Sequence, residues 1–292
     1  MTLHKSGNLG ELNRNHLTTF GRKVMKRHLK IIGLFETIIS KIKLFILSGI
    51  IAISYNCENA STTENNNSNN LLFIASEGNF GQNNGSISVF KDNEKIQELL
   101  NVGDVLQSIL VHDSHLYAII NGNNEIKRYA ISETGLTLPG ITISTNNSSP
   151  REMCVLNNKL YFTNWNSKDI KVLNLNTFSI EQSISLNGLP EDIITDGTNL
   201  YASIPHLALY DQGNGTNVVK IDPLTNQITK TYEVGKGPQH LIIHNDNLFI
   251  SRTYYSENWY QTFFGTAQIN LTNDEVITIE HGEGIVCGGN VM

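Results

Sequence analysis

The sequence predicts an all-β protein, a β-propeller of four-stranded antiparallel blades, and three observations predict it. A Leu-(Tyr/Phe) pair recurs at Leu72-Phe73, Leu116-Tyr117, Leu160-Tyr161, Leu200-Tyr201 and Leu248-Phe249, at spacings of 44, 44, 40 and 48 residues. Eleven residues before the aromatic stands Pro150, Pro190 or Pro238, with Leu106 in that place in a fourth unit. Between these marks lie short runs of alternating apolar and polar residues, separated by turn formers. A unit of about 44 residues holding four short strands cannot cover its own apolar faces, so successive units must stack about an axis.

The composition agrees. Hydrophobic residues make up 39% of the 292 residues and charged ones 16%, and much of the rest is Asn, Ser, Thr and Gly. That mixture suits strands and turns better than long helices. The formal net charge is −6, unevenly placed: 9 Lys/Arg against 2 Asp/Glu in residues 1–56, and 12 against 25 in residues 57–292. The repeat region is therefore acidic and has no basic stripe, which argues against nucleic-acid binding. The three cysteines, Cys57, Cys154 and Cys287, have no repeated spacing. They form neither a disulfide framework nor a zinc motif, and Cys154 reads as a small buried apolar residue. No resident cofactor or metal is expected.

Residues 1–56 read as an N-terminal extension and signal segment. Lys41 and Lys43 precede the apolar run Leu44-Phe-Ile-Leu-Ser-Gly-Ile-Ile-Ala-Ile-Ser54, too short to cross the hydrocarbon core unaided. A basic flank, a short apolar run and a polar exit are the parts of a secretory signal. Met25, followed by Lys26 and Arg27, is an alternative start. Cys57 follows the run, and residues 57–70 form an Asn/Ser/Thr-rich tract with too little apolar surface to offset the entropy of ordering. Signal, cysteine, tether and folded region resemble a bacterial lipoprotein, which implies lipidation of Cys57 and attachment to a membrane through that anchor alone. Ser54-Tyr55-Asn56 departs from the usual Leu-small-small pattern before the cysteine, so simple cleavage and an uncleaved anchor stay open. The expected location is outside the cytoplasm, at the outer membrane, the cell surface or in the periplasm.

The repeats occupy residues 71–292. The third unit divides into strands Arg151–Leu156, Lys159–Thr163, Ile170–Leu175 and Ser179–Leu186, here termed A to D. Alternation is clear in Ile87-Ser-Val89 and Ile170-Lys-Val172, and the separators include Asn157-Asn158, Asp196-Gly197 and Asn245-Asp246-Asn247. Gly103, Gly188 and Gly237 mark the turn before strand A.

The order Pro-x-x-Ile/Leu, turn, Leu-Tyr, loop, Val/Ile-x-Val/Ile-(Asp/Asn), turn, Gly-x-x-Pro resembles the YncE/YVTN family of β-propellers. Asn164-Trp165 and Ile221-Asp222 match its loop and third-strand positions, and Glu77-Gly-Asn-Phe-Gly81 with Gly85-Ser-Ile-Ser-Val89 resembles the opening of bacterial surface-lipoprotein propellers. The resemblance implies a fold that hosts many activities, among them capture of cobalamin-like molecules beside an outer-membrane transporter. About five blades are present. Ile285–Met292 could pair with Leu71–Ala75 and close a five-bladed ring, or the chain could be a C-terminally cut piece of the seven-bladed form usual in that family. The second is preferred, because the next Leu-Tyr pair falls near 296 and Val286-Cys-Gly-Gly-Asn-Val is a poor closing strand.

Strands in a meander alternate direction, so the D–A turns and B–C loops share one face. That face is expected to hold every long loop: Glu77–Asn84, Ile204–Thr216 and Thr253–Thr266. Long loops on a rigid scaffold are where binding usually resides. The last of them carries six aromatics, Trp259 and Tyr254 among them, with Arg252 just before it. Phe80 and Trp165 occupy corresponding loops. These residues are candidates for an aromatic-lined site, against the alternative of local packing. After the repeat proline come Gln107-Ser108, Arg151-Glu152, Glu191-Asp192 and Gln239-His240, on the innermost strand near the channel mouth. Glu152, Asp192 and His240 are candidates there, against simple solvation by channel water. Asp211-Gln-Gly-Asn-Gly215 lacks the spacing of a calcium loop and reads as a turn.

No nucleophile elbow, His-Glu-x-x-His, P-loop or haem-attachment motif occurs. His112 and His244 share an A–B turn position, which marks them as structural. The expected function is a non-catalytic module that binds a small molecule or protein partner. Two alternatives are a lyase or hydrolase working at the channel mouth with His240, Glu152 and Asp192, and a structural adhesin using blade edges.

Overall fold

The computed structural model describes residues 71–284. Residues 1–70 and 285–292, which carry the expected signal, Cys57, tether and last A strand, lie outside the described residues. Among the described residues there is no helix, and twenty strands form five antiparallel sheets. This is the expected propeller of about five blades.

The first blade has three strands: β1 (Leu71–Ser76), β2 (Ser86–Lys91) and β3 (Glu94–Leu99). The second runs β4 (Leu106–His112), β5 (His115–Ile120) and β6 (Glu125–Ser132), then a two-residue β7 (Gly135–Leu136), and ends on β8 (Ile141–Ser144), which pairs with β6. The third comprises β9 (Pro150–Leu156), β10 (Lys159–Asn164), β11 (Asp169–Asn174) and β12 (Ser179–Ser185). The fourth comprises β13 (Ile193–Thr195), β14 (Leu200–Ile204), β15 (Asn217–Asp222) and β16 (Gln227–Glu233). The fifth comprises β17 (Pro238–His244), β18 (Asn247–Tyr255), β19 (Thr262–Asn270) and β20 (Val276–Glu283).

The repeated pair does two jobs. Successive side chains on a strand point to opposite faces, so the leucine packs against the preceding blade and the aromatic against the following one. Tyr117 meets Leu160 and Phe162 between blades two and three. Tyr161 meets Leu200 and Ala202 in the next junction, and Tyr201 meets Leu248 and Ile250 in the last. Phe73 packs on the first junction, which contains Leu116 and Ala118. Tyr161 and Tyr201 are wholly buried. At about 25 cal/mol per Å² of apolar surface removed from water, each such ring contributes on the order of 2–3 kcal/mol.

Near the axis the blades are joined by hydroxyls. Thr163 Oγ1 accepts from Glu152 N (3.0 Å) and donates to Glu191 O of the next blade (2.7 Å). Ser203 Oγ accepts from Asp192 N (3.0 Å) and donates to Gln239 O (2.6 Å). Ser108 Oγ donates to Arg151 O (3.2 Å). These bonds satisfy polar groups that the strand-A bulges would otherwise leave without partners in a buried place.

Two expectations need correction. The Thr253–Thr266 loop is mostly strand, because β18 and β19 stay paired out to Tyr255–Thr262, and only residues 256–261 form the turn. The C–D connection of blade two is not short: residues 133–140 add β7, whose Leu136 is buried against blade one. The loop-rich face therefore does not hold every long connection.

Candidate functional site

The B–C loops are pinned to the D–A turns by backbone hydrogen bonds, which puts both on one face. Trp165 N donates to Ser149 O (3.0 Å), Leu189 N to His206 O (2.7 Å), Gly237 N to Gly215 O (2.9 Å) and Leu106 N to Glu77 O (3.0 Å). Gly237 has a φ of +64°, and a Cβ there would lie 2.0 Å from Thr253 O, so this close approach requires glycine.

On that face the third, fourth and fifth blades build one continuous wall. Arg151 stands at its inner end. Its guanidinium forks onto the Glu191 carboxylate (Nη2–Oε1 2.6 Å, Nε–Oε2 3.1 Å) and donates to Gln107 Oε1 (2.8 Å). The same group lies 4.4 Å from the Trp165 ring centroid, a cation–π contact. Trp165 meets His206 edge to face at 5.6 Å, and its buried Nε1 has no hydrogen-bond partner. His206 Nδ1 is 2.6 Å from Asp211 Oδ1. The Gln212 carbonyl beside it accepts from Tyr255 N (2.8 Å), and Tyr255 packs against Trp259 at 5.2 Å. Tyr210, Tyr260 and Phe80 are almost fully exposed, and Trp259 is half exposed.

The remaining predicted residues sort clearly. Tyr254 stacks on Phe263 (5.1 Å) and donates to Glu280 Oε2 (3.0 Å), so it packs within its own blade. Arg252 is buried, donates from Nε to Lys236 O (3.1 Å) and places Nη1 2.6 Å from Glu280 Oε1. It anchors a D–A turn. Asp211 orders its own loop: burial alone would raise its pKa, but His206 and the N–H groups of Leu207, Gly213 and Ala208 hold it below the usual carboxylate range. Residues that the sequence patterns did not single out are His206 and the Arg151–Trp165 contact. The first follows Leu200-Tyr-Ala-Ser-Ile-Pro205 with no motif. The second joins positions fourteen apart that only the β9–β10 pairing and its bulge bring together.

At the axis, Glu152 is pushed up to about 8, first by burial and then by the charges of Asp192 and Glu191, against a hydrogen bond from Gln107 and the charge of Arg151. Asp192 is also raised by burial, although Leu241 N–H, His240 and Ile193 N–H oppose this. His240 is half exposed, 4.0 Å from Asp192 Oδ2. Among the described residues, no cluster of three or more His, Cys, Asp or Glu side chains is placed to hold a metal ion.

This architecture defines a β-propeller, and solved structures agree. Hydrazine synthase from Kuenenia stuttgartiensis is similar with a TM-score of 0.55 and 13% identity, covering 67% of this chain and 60% of that one. The Pan2 WD40 domain of Neurospora crassa gives 0.54 and 15%, over 72% and 62%. A putative 6-phosphogluconolactonase from Bacteroides uniformis gives 0.54 and 9%, over 73% and 68%. The chain thus spans about 60% of the length of the first two, and these likenesses show the fold alone. The chain matches no protein-family model and no curated protein.

Proposed function

We propose that the chain is an exported propeller of the YncE-like type, tethered through a lipid on Cys57, that binds a ligand or partner on its loop-rich face without catalysis. The observation that carries this reading is the wall from Arg151 through Trp165, His206 and Asp211 to Tyr255 and Trp259. Its inner part is internally bonded, and at its outer part Trp259 is half exposed beside the largely exposed Tyr260. Such a surface suits a planar or sugar-like ligand that stacks on rings and accepts a few hydrogen bonds.

The chain's two tryptophans, Trp165 and Trp259, both belong to this wall, so their fluorescence reports on it directly. Titration with a panel of oligosaccharides, planar heterocycles and short peptides should find a saturable quencher. Trp259→Ala should weaken its binding at least tenfold. If every saturable ligand binds that variant unchanged, the site is wrong. Mass spectrometry of the membrane fraction with and without Cys57→Ser tests the tether. One observation favours the second reading, an enzyme at the channel mouth: a Glu152 that is still largely protonated at neutral pH has the form of a general acid. A reaction that Glu152→Gln abolishes would establish it.

A further inference from the structure

A continuous chain of contacts joins the axis to the aromatic wall. Gln107, from the second blade, donates to the Glu152 carboxylate and accepts from Arg151 Nη1 (2.8 Å). Arg151 forks onto Glu191 of the fourth blade, and its guanidinium carbon lies 4.4 Å from the Trp165 ring centroid. Trp165 meets His206 edge to face at 5.6 Å, and His206 is held by Asp211 at 2.6 Å. The second, third and fourth blades supply every member of this chain, so it does not depend on either end of the array.

The groups facing Glu152 are Arg151 beside it, Gln107 from β4, and Glu191 and Asp192 from the fourth blade. His240 of β17 stands 4.0 Å from Asp192 Oδ2. Among the described residues, the hydrogen bonds of Arg151 take three of its five N–H donors, two to Glu191 and one to Gln107, which leaves two for another carboxylate. While Glu152 holds its proton, the guanidinium is matched by Glu191 and rests against Trp165. Burial and the neighbouring carboxylates keep that proton on up to about 8, so its loss falls in the mildly alkaline range. The new negative charge then lies where little water screens it, and a nearby positive charge is drawn strongly. The Gln107 amide adds to the pull, because donating to an ionised carboxylate polarises its oxygen towards Arg151.

We infer that ionisation of Glu152 opens the wall: the Arg151 guanidinium moves towards the axis and off the Trp165 ring, baring that ring to a stacking ligand. This rests on the wall being the binding surface, and adds to it a control by pH exerted from the axis. With Glu152 protonated, Arg151 stays on the indole and the ring is covered. The change is confined to one side chain and requires no rearrangement of the blades.

The test follows Trp165 fluorescence against pH in a Trp259→Phe background, where Trp165 is the one tryptophan left in the chain. Emission should change in a single step with a midpoint of about 8. Glu152→Gln should abolish the step, since an amide has no carboxyl proton to lose. Arg151→Gln should abolish it as well, since the group that moves is gone. His206→Gln should keep it, although His206 touches the indole. A profile that is flat from neutral to mildly alkaline pH overturns the inference. So does a step that survives Glu152→Gln, which would assign it to Asp192 or His240, one that survives Arg151→Gln, or one lost with His206→Gln. Circular dichroism at each pH checks the fold, and where a variant does not fold the remaining profiles decide. The readout needs no ligand, so a wall that binds nothing and a wall that ignores pH give different results.

Discussion

Arg151 and Glu191 are neighbours across a blade junction, forked onto each other at 2.6 and 3.1 Å, and Glu191 is 95% buried. The pair lies at the point where the axis and the aromatic wall meet. Removing one partner leaves a charge out of water without its counter-ion, which costs on the order of 3 kcal/mol. Glu191→Gln and Arg151→Ala should each lower stability by about 2–3 kcal/mol in urea denaturation, and the double variant should lose clearly less than the sum. Arg151→Ala should also shift Trp165 emission.

Glu152 makes stability fall with rising pH. In the unfolded chain its carboxyl ionises near 4.5, whereas in the fold burial and the neighbouring carboxylates hold the proton up to about 8. Below the lower value both states are protonated and nothing is gained or lost. Between the two, the fold retains a proton that the unfolded chain releases, so stability declines until the higher value is passed. Glu152→Gln should match the wild type near pH 4 and exceed it near pH 9 by about 1–3 kcal/mol. Equal curves at both ends would show that the shift does not exist.

Two glycines separate backbone strain from collision. Gly197 (φ +88°) faces open space, and Gly237 (φ +64°) faces the Thr253 carbonyl. Gly197→Ala should cost about 1 kcal/mol, the price of the left-handed conformation alone. Gly237→Ala must also displace a backbone that carries the Thr253 N–Gly237 O bond of 2.8 Å. It should cost about 2–4 kcal/mol in the same thermal or urea measurement.

Ser203→Ala removes the acceptor for Asp192 N and the donor for Gln239 O at a fully buried position. A loss of about 1–3 kcal/mol is expected. Ser203→Thr should be far milder, because Thr163 fills the equivalent place in the third blade.

The repeat was legible because its period rests on a packing requirement: Leu200 and Tyr201 must face opposite neighbours, and only a paired apolar signature does that. Strand limits in the third blade agree with expectation to within one residue at each end. The placement of the candidate residues was legible in part. Trp165, Trp259, Glu152, Asp192 and His240 fall on the expected face or axis, but Tyr254 and Arg252 are held by Glu280. The sequence distance between Arg252 and Glu280 conceals that hold, which depends on three adjacent strands of one sheet. The length of the aromatic run likewise read as a loop because aromatics are common both in binding loops and in strand pairs.

The hydroxyl links near the axis have a consequence for amide hydrogen exchange. Each blade is supported only by the blades on either side, as in other stacked-repeat proteins, so opening should begin at the two ends and travel inward. Backbone amides of β10 and β14, flanked by neighbours and tied by Thr163 and Ser203, should exchange slowest, while those of β1 and β20 should exchange fastest.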